Sequence, residues 1–292
     1  MSQISVNDIS SLDGKSGPVI SGITTVSSTG YMMVPAGPTE YRGGRGRGIF
    51  GGGATPTNVN IIDYITIASV GNALDFGDIS LTRTAAAACS SSTRGLFAGG
   101  TTPTTVNTID FITISSTGNT FDFGDLTQAR GQFSGCSSNT RGIFGGGYET
   151  PSVPVNTIDY VTISTLGNAS SFGDLFVSRE QPASCSSSIR GIFGGGRSPL
   201  TTPAADNTID YITIASTGDA IDFGDLTVAR RGLSSCSSSI RGIFGGGYAS
   251  PAVVNTIDYI TISSTGNASN FGDLTTARRN LAACSDAHGG LG

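Results

Sequence analysis

Residues 256–264, TIDYITISS, place apolar side chains on both parities of an extended chain. Ile257 and Tyr259 lie on one side, Ile260 and Ile262 on the other. A strand with one wet face alternates apolar with polar residues, so this pattern predicts a strand covered on both faces. Three further strands are predicted around it: RRGLSSCSSS (230–239), RGIFGGG (241–247) and SNFGDLTTAR (269–278), with glycine-bearing turns such as STGNAS (264–269) between them. The phrase RGIFGGG also stands at 47–53, 141–147 and 190–196, and as RGLFAGG at 94–100. Its arginines, Arg47, Arg94, Arg141, Arg190 and Arg241, are 47, 47, 49 and 51 positions apart.

A four-stranded meander repeating every 40–50 residues predicts the blade of a β-propeller. Each unit carries a second marker, the aspartates Asp63, Asp110, Asp159, Asp210 and Asp258, and the next arginine follows 31 positions later every time. From the third residue of GGG (AGG in the second unit) to the same aspartate the count is 10, 10, 12, 14 and 11, so all length variation falls between the second and third strands. The first unit lacks a good first strand, whereas ARRNLAACSD (277–286) is a first strand with nothing after it. The expected fold is therefore all-β: a five-bladed propeller over 47–292, closed by the C-terminal strand in blade 1, preceded by an extended arm over 1–46. Ring closure leaves no free sheet edge.

The order R…IFGGG…IDYITI…F-x-DL…AR resembles the kelch repeat, with Phe76, Phe123, Phe172, Phe223 and Phe271 at the place where that family usually has Trp. The near-identity of the units, with GPVISGITTVSSTGYMMVPAGPTEYRGGRGR before them, is similar to repeat proteins of tailed phages of aquatic bacteria. That resemblance implies a virion protein made in a host cytoplasm, present in many copies, and placed on the head surface or a tail fibre.

Composition narrows the function. Charged residues are 13 % of the chain and the net charge is −5, which argues against nucleic acid as the main partner. No apolar run is long enough to span a bilayer, and MSQISVNDISS lacks the features of a secretory signal, so neither membrane insertion nor export is expected. Cys89, Cys136, Cys185, Cys236 and Cys284 share one position on the first strand, among alanine, serine and glycine. They read as small buried hydrophobes near a crowded axis rather than metal ligands. The GGG runs lack the following helix that a phosphate-cradling loop needs.

Arg83, Arg130, Arg179, Arg230 and Arg278 repeat as well, and Asp78, Asp125, Asp174, Asp225 and Asp273 join the marker aspartates. Charges copied five times suggest structural ion pairs, because an enzyme site needs different groups converging on one spot. His288 is the only histidine, which excludes a two-histidine copper site or a histidine-based triad built from several copies. The expectation is a non-enzymatic protein with no catalytic, cofactor or metal residues.

Two sets of candidate residues follow. The variable loops offer Tyr148, Glu149, Arg197, Leu200 and Tyr248 for recognition, with the alternative that they are solvated tips. The arm offers Ile20, Ile23, Val26, Tyr31, Met32, Met33 and Val34 for docking on other virion proteins. The expected function is a surface-displayed structural module anchored by its arm. The alternative is a lectin-like module that binds a host-surface glycan or receptor through the variable loops.

Overall fold

A computed structural model of the chain describes residues 46–199 and 205–284. The arm candidates, Leu200 and His288 lie outside the described residues. The fold is all-β, a five-bladed propeller, and no helix occurs among the described residues. Blade 1 contains Arg47–Gly51, Ile61–Thr66 and Leu74–Asp78. Blades 2 to 5 each have four strands in meander order: Ala87–Ser90, Arg94–Ala98, Thr108–Thr113 and Phe121–Asp125 in blade 2; Ser134–Ser137, Arg141–Gly145, Thr157–Thr162 and Ser170–Asp174 in blade 3. Blade 4 has Ala183–Ser186, Arg190–Gly194, Thr208–Thr213 and Ile221–Asp225; blade 5 has Ser234–Ser237, Arg241–Gly245, Thr256–Thr261 and Ser269–Asp273. In blade 1 the strands present are counterparts of the second, third and fourth, and they are called so below.

The inner strands are short and built from small residues because they crowd together: those of blades 2, 3, 4 and 5 are successive neighbours. In blades 2 to 5 the cysteine pairs directly across the inner ladder with the residue two after the repeat arginine, as in Cys136 with Ile143. The register of the second strand against the third is the same in every blade, from Arg47 with Thr66 to Arg241 with Thr261.

The fourth strand is shorter than expected. SNFGDLTTAR was expected to run 269–278, and the strand ends at Asp273. Its ladder also shifts at the marker aspartate: Ile109 faces Gly124 and Asp110 faces Asp122, leaving Phe123 as the extra residue of a β-bulge. The same shift occurs in all five blades. Bulges re-aim side chains. Phe123 and its counterparts Phe76, Phe172 and Phe223 are buried and meet the ring at the third-strand aromatic edge-on, as with Tyr160 and Phe172 at 5.8 Å.

The residues after the bulge form the blade-to-blade junction. Arg83, Arg130, Arg179 and Arg230 leave one blade and reach the marker aspartate of the next: Asp110 at 2.6 Å, Asp159 at 2.8 Å, Asp210 at 2.7 Å and Asp258 at 2.9 Å. All eight side chains are buried. Each guanidinium also donates to two or more backbone carbonyls, such as Phe97 and Thr108 for Arg83. Burial pushes the Asp110 and Asp210 carboxyls up and the Arg83, Arg130 and Arg230 guanidinium groups down, each opposed by the partner's charge. These four arginine–aspartate pairs are therefore structural cement between blades.

The described part of the C-terminal strand expected at 277–286, residues 277–284, is not a strand. Ala283 and Cys284 line a cavity of about 340 Å³ together with Arg47 and Ile49. Among the described residues, however, it forms no ladder there, and the first sheet has three strands. The fold is a propeller of five blades with four completed junctions. Among the described residues blade 1 has no first strand, so its sheet lacks the inner ladder found in blades 2 to 5.

Candidate binding face

Two kinds of connection share one face of the propeller. The variable segments between second and third strands form small hairpins: Thr101–Thr102 with Thr104–Thr105, Tyr148–Glu149 with Val153–Pro154, and Tyr248–Ala249 with Ala252–Val253. Beside them run the turns that link one blade to the next inner strand. Backbone pairs join the two: Thr84 with Thr101, Gly131 with Tyr148, Glu180 with Arg197 and Arg231 with Tyr248.

One residue further on, each linking turn enters the left-handed region: Ala85 at φ 57°, Gln132 at 54°, Gln181 at 56°, Gly232 at 60° and Asn280 at 55°. Glycine and asparagine take this conformation readily, but for alanine and glutamine it costs about 1–2 kcal/mol. Sustained strain of this kind concentrates at functional sites. The five residues and their successors line one cavity of about 500 Å³, the axial mouth of the propeller. That volume lies within the range of small-molecule pockets.

A chain of backbone hydrogen bonds runs around the mouth. The N–H of Gln132 donates to Ala85 O at 2.9 Å, Gln181 to Gln132 at 2.7 Å, Gly232 to Gln181 at 3.4 Å, and Asn280 to Gly232 at 2.7 Å. Inside it, Gln181 Nε2 donates to Gln132 Oε1 at 2.9 Å. Gln132 Nε2 and Gln181 Oε1 keep no hydrogen-bond partner among the described residues. Both glutamines belong to the lining of the cavity, joined to each other by this bond. The rest of the lining is Ala, Phe, Pro, Gly, Leu and Asn280, with no ionisable group.

The residues expected to recognise a ligand sit on the rim of this face and hold it together. Tyr148 hydrogen-bonds through its hydroxyl to Thr101 Oγ1 of the neighbouring hairpin at 3.1 Å, and Glu149 follows it, half-buried. Arg197 pairs with Glu180 at 2.8 Å. Tyr248 lies between the guanidinium groups of Arg231 and Arg279, each 5.2 Å from its ring centre. The mouth amides themselves escaped the sequence reading. Their signal was a non-repeated residue at a repeated position, Ala, Gln, Gln, Gly and Asn, two after the buried arginine (or its counterpart Arg278).

Cys89, Cys136 and Cys185 are buried and point into the junctions, whereas Cys236 is half-buried and Cys284 exposed, against the expectation of five buried cysteines. A side chain at Gly142 would come within 2.8 Å of the Cys89 sulfur, one at Gly191 within 3.0 Å of Cys136, and one at Gly242 within 2.7 Å of Cys185. Burial pushes the Cys136 thiol up to about 12 and raises Cys89 and Cys185 further. They behave as protonated core groups. No protein-family model matches the chain, and no curated protein matches it.

Proposed function

We propose that the protein is a non-enzymatic structural and binding module: a kelch-like propeller displayed on a larger assembly and held there by residues 1–46. The sequence resemblance makes a phage virion the assembly of choice, on the head surface or a tail fibre. The observation that carries the reading is the chemistry of the loop face. Its mouth offers amides and hydrocarbon without an ionisable lining group, while buried ion pairs join the completed blade junctions. Such a surface suits docking and neutral ligands better than proton transfer. The test is particle incorporation of the full chain. Replacing Tyr31, Met32 and Met33 with serine should abolish incorporation while the protein stays folded; unchanged incorporation would refute the anchoring role.

The lectin-like alternative has its own support. Gln132 Nε2 and Gln181 Oε1 present a paired donor and acceptor, the pattern that hydroxyl groups of a neutral sugar satisfy. Glycan-array binding by the full chain should then be saturable and lost in Gln132→Ala with Gln181→Ala. Binding indifferent to both substitutions would remove the mouth from consideration.

A further inference from the structure

Most arginines of the chain belong to the two sets copied five times. Among the described residues three stand outside both sets, Arg197, Arg231 and Arg279, and all three lie on the loop face. Arg197 is matched by Glu180 at 2.8 Å. The backbone bridge that joins Glu180 to Arg197 is repeated one blade later between Arg231 and Tyr248. There an arginine replaces the acid and a tyrosine replaces the arginine. Arg279, the counterpart of Arg231 in the next linking turn, reaches the same ring, so positive charge is doubled at this part of the rim.

Both guanidinium groups lie 5.2 Å from the Tyr248 ring centre, and therefore within about 10 Å of each other. The ring face attracts cations but carries no net charge, so the repulsion between the two remains. Among the described residues no carboxylate lies within ion-pair distance of either. Main-chain bonds hold the cluster in place. Tyr248 N donates to Arg231 O at 2.8 Å and Arg231 N to Tyr248 O at 3.1 Å, while Asn280 N donates to Gly232 O at 2.7 Å and ties the two linking turns together. Arg231 is half-buried and Arg279 exposed. The next residue of each turn, Gly232 and Asn280, lines the mouth. Two cations thus stand one residue away from a cavity of about 500 Å³ whose lining has no ionisable group.

We infer that Arg231 and Arg279 form an anion subsite at the edge of the mouth, and that its ligand is an acidic saccharide. The inference rests on the lectin-like reading of the mouth and adds the chemical class of the sugar. The anionic group sits at the two guanidinium forks, which suit the paired oxygens of a carboxylate or a phosphate. The sugar ring enters the cavity, where the amides of Gln132, Gln181 and Asn280 answer its hydroxyl groups. A nucleic acid fits worse, because a net charge of −5 repels a polyanion as a whole. An acidic peptide would use the arginines and leave the amide-bearing mouth without hydroxyl partners.

An array of carboxylated, phosphorylated and neutral glycans, probed with the full chain, decides this. Saturable binding should be confined to acidic members, and whichever acidic class responds names the anionic group. Arg231→Gln with Arg279→Gln should weaken that binding by about tenfold or more, the least expected when hydrogen bonds to a charged group are lost. The thermal midpoint should not move, since the bonds that fix these turns are main-chain. Binding of neutral glycans that the double variant leaves intact would keep the lectin reading and overturn the anion subsite. Absence of binding to every glycan would refute the lectin reading itself. Polyglutamate competing as strongly as the best acidic glycan would overturn the saccharide class in favour of an acidic peptide.

Discussion

The junction between blades 4 and 5 and the one facing it between blades 5 and 1 are written in nearly the same residues. At the first, Phe244 is fully buried, and Asp258 holds Arg230 in a dry pair. At the second, Phe50 and Phe271 are more than half exposed. The second and third strands of blades 5 and 1 match: Arg241 lies 4.9 Å from the Tyr259 ring centre and Arg47 4.7 Å from that of Tyr64, and the register between those strands is the same. The difference teaches that a blade's internal geometry is local, whereas its burial comes from the neighbour. Stability in such an array resides mainly between repeats.

The largest test of that contrast is a pair of truncations. Phe193→Ala should lower the unfolding free energy by about 3–5 kcal/mol in denaturant melts, the usual loss for a phenyl removed from a packed core. Phe50→Ala should cost less, because its loss cannot exceed the free energy of closing the seam. Equal losses at the two sites would mean that the fifth junction is as firm as the others.

A smaller effect separates two glycines. A side chain at Gly173 would clash with the Gly218 carbonyl, whereas at Gly272 it would meet nothing within 4 Å, and both have φ near 150°. Gly173→Ala should therefore lose the conformational term plus a backbone clash, and Gly272→Ala the conformational term alone. Thermal melts check the order, and a larger loss at Gly272 would break the comparison.

The smallest expected effect is on the alkaline side. Cys136 is raised from 9.0 to about 12 in the folded state. Stability from the protonated thiol is full below about pH 9 and drains as the pH climbs toward 12, because the unfolded chain releases its proton first. Cys136→Ala should flatten that slope in melts between pH 9 and 11.

The period, the four-strand plan and the aspartate–arginine ladders were legible because each repeats a distinctive residue at fixed spacing. The end of the fourth strand was not. Phe-Gly-Asp reads as continuing strand, and only pairing against the aspartate reveals the bulge that turns the chain out. The mouth stayed hidden because its residues are ordinary in type; what marks Gln132 and Gln181 is a left-handed backbone and the company of their counterparts around the axis. The displaced first strand marked the fifth junction in the sequence, but the exposure of Phe50 and Phe271 was not legible, since both sides repeat the same words as the other junctions.

That sameness has a consequence for how the chain acquires its shape. The inner strand of one unit would fit almost equally well against the second strand of several others, so little besides tether length selects the right mate. A chain released from denaturant all at once faces degenerate partners and frame-shifted rings, whereas one emerging from the ribosome meets them singly. Vectorial synthesis, more than side-chain complementarity, would then set the fidelity of assembly.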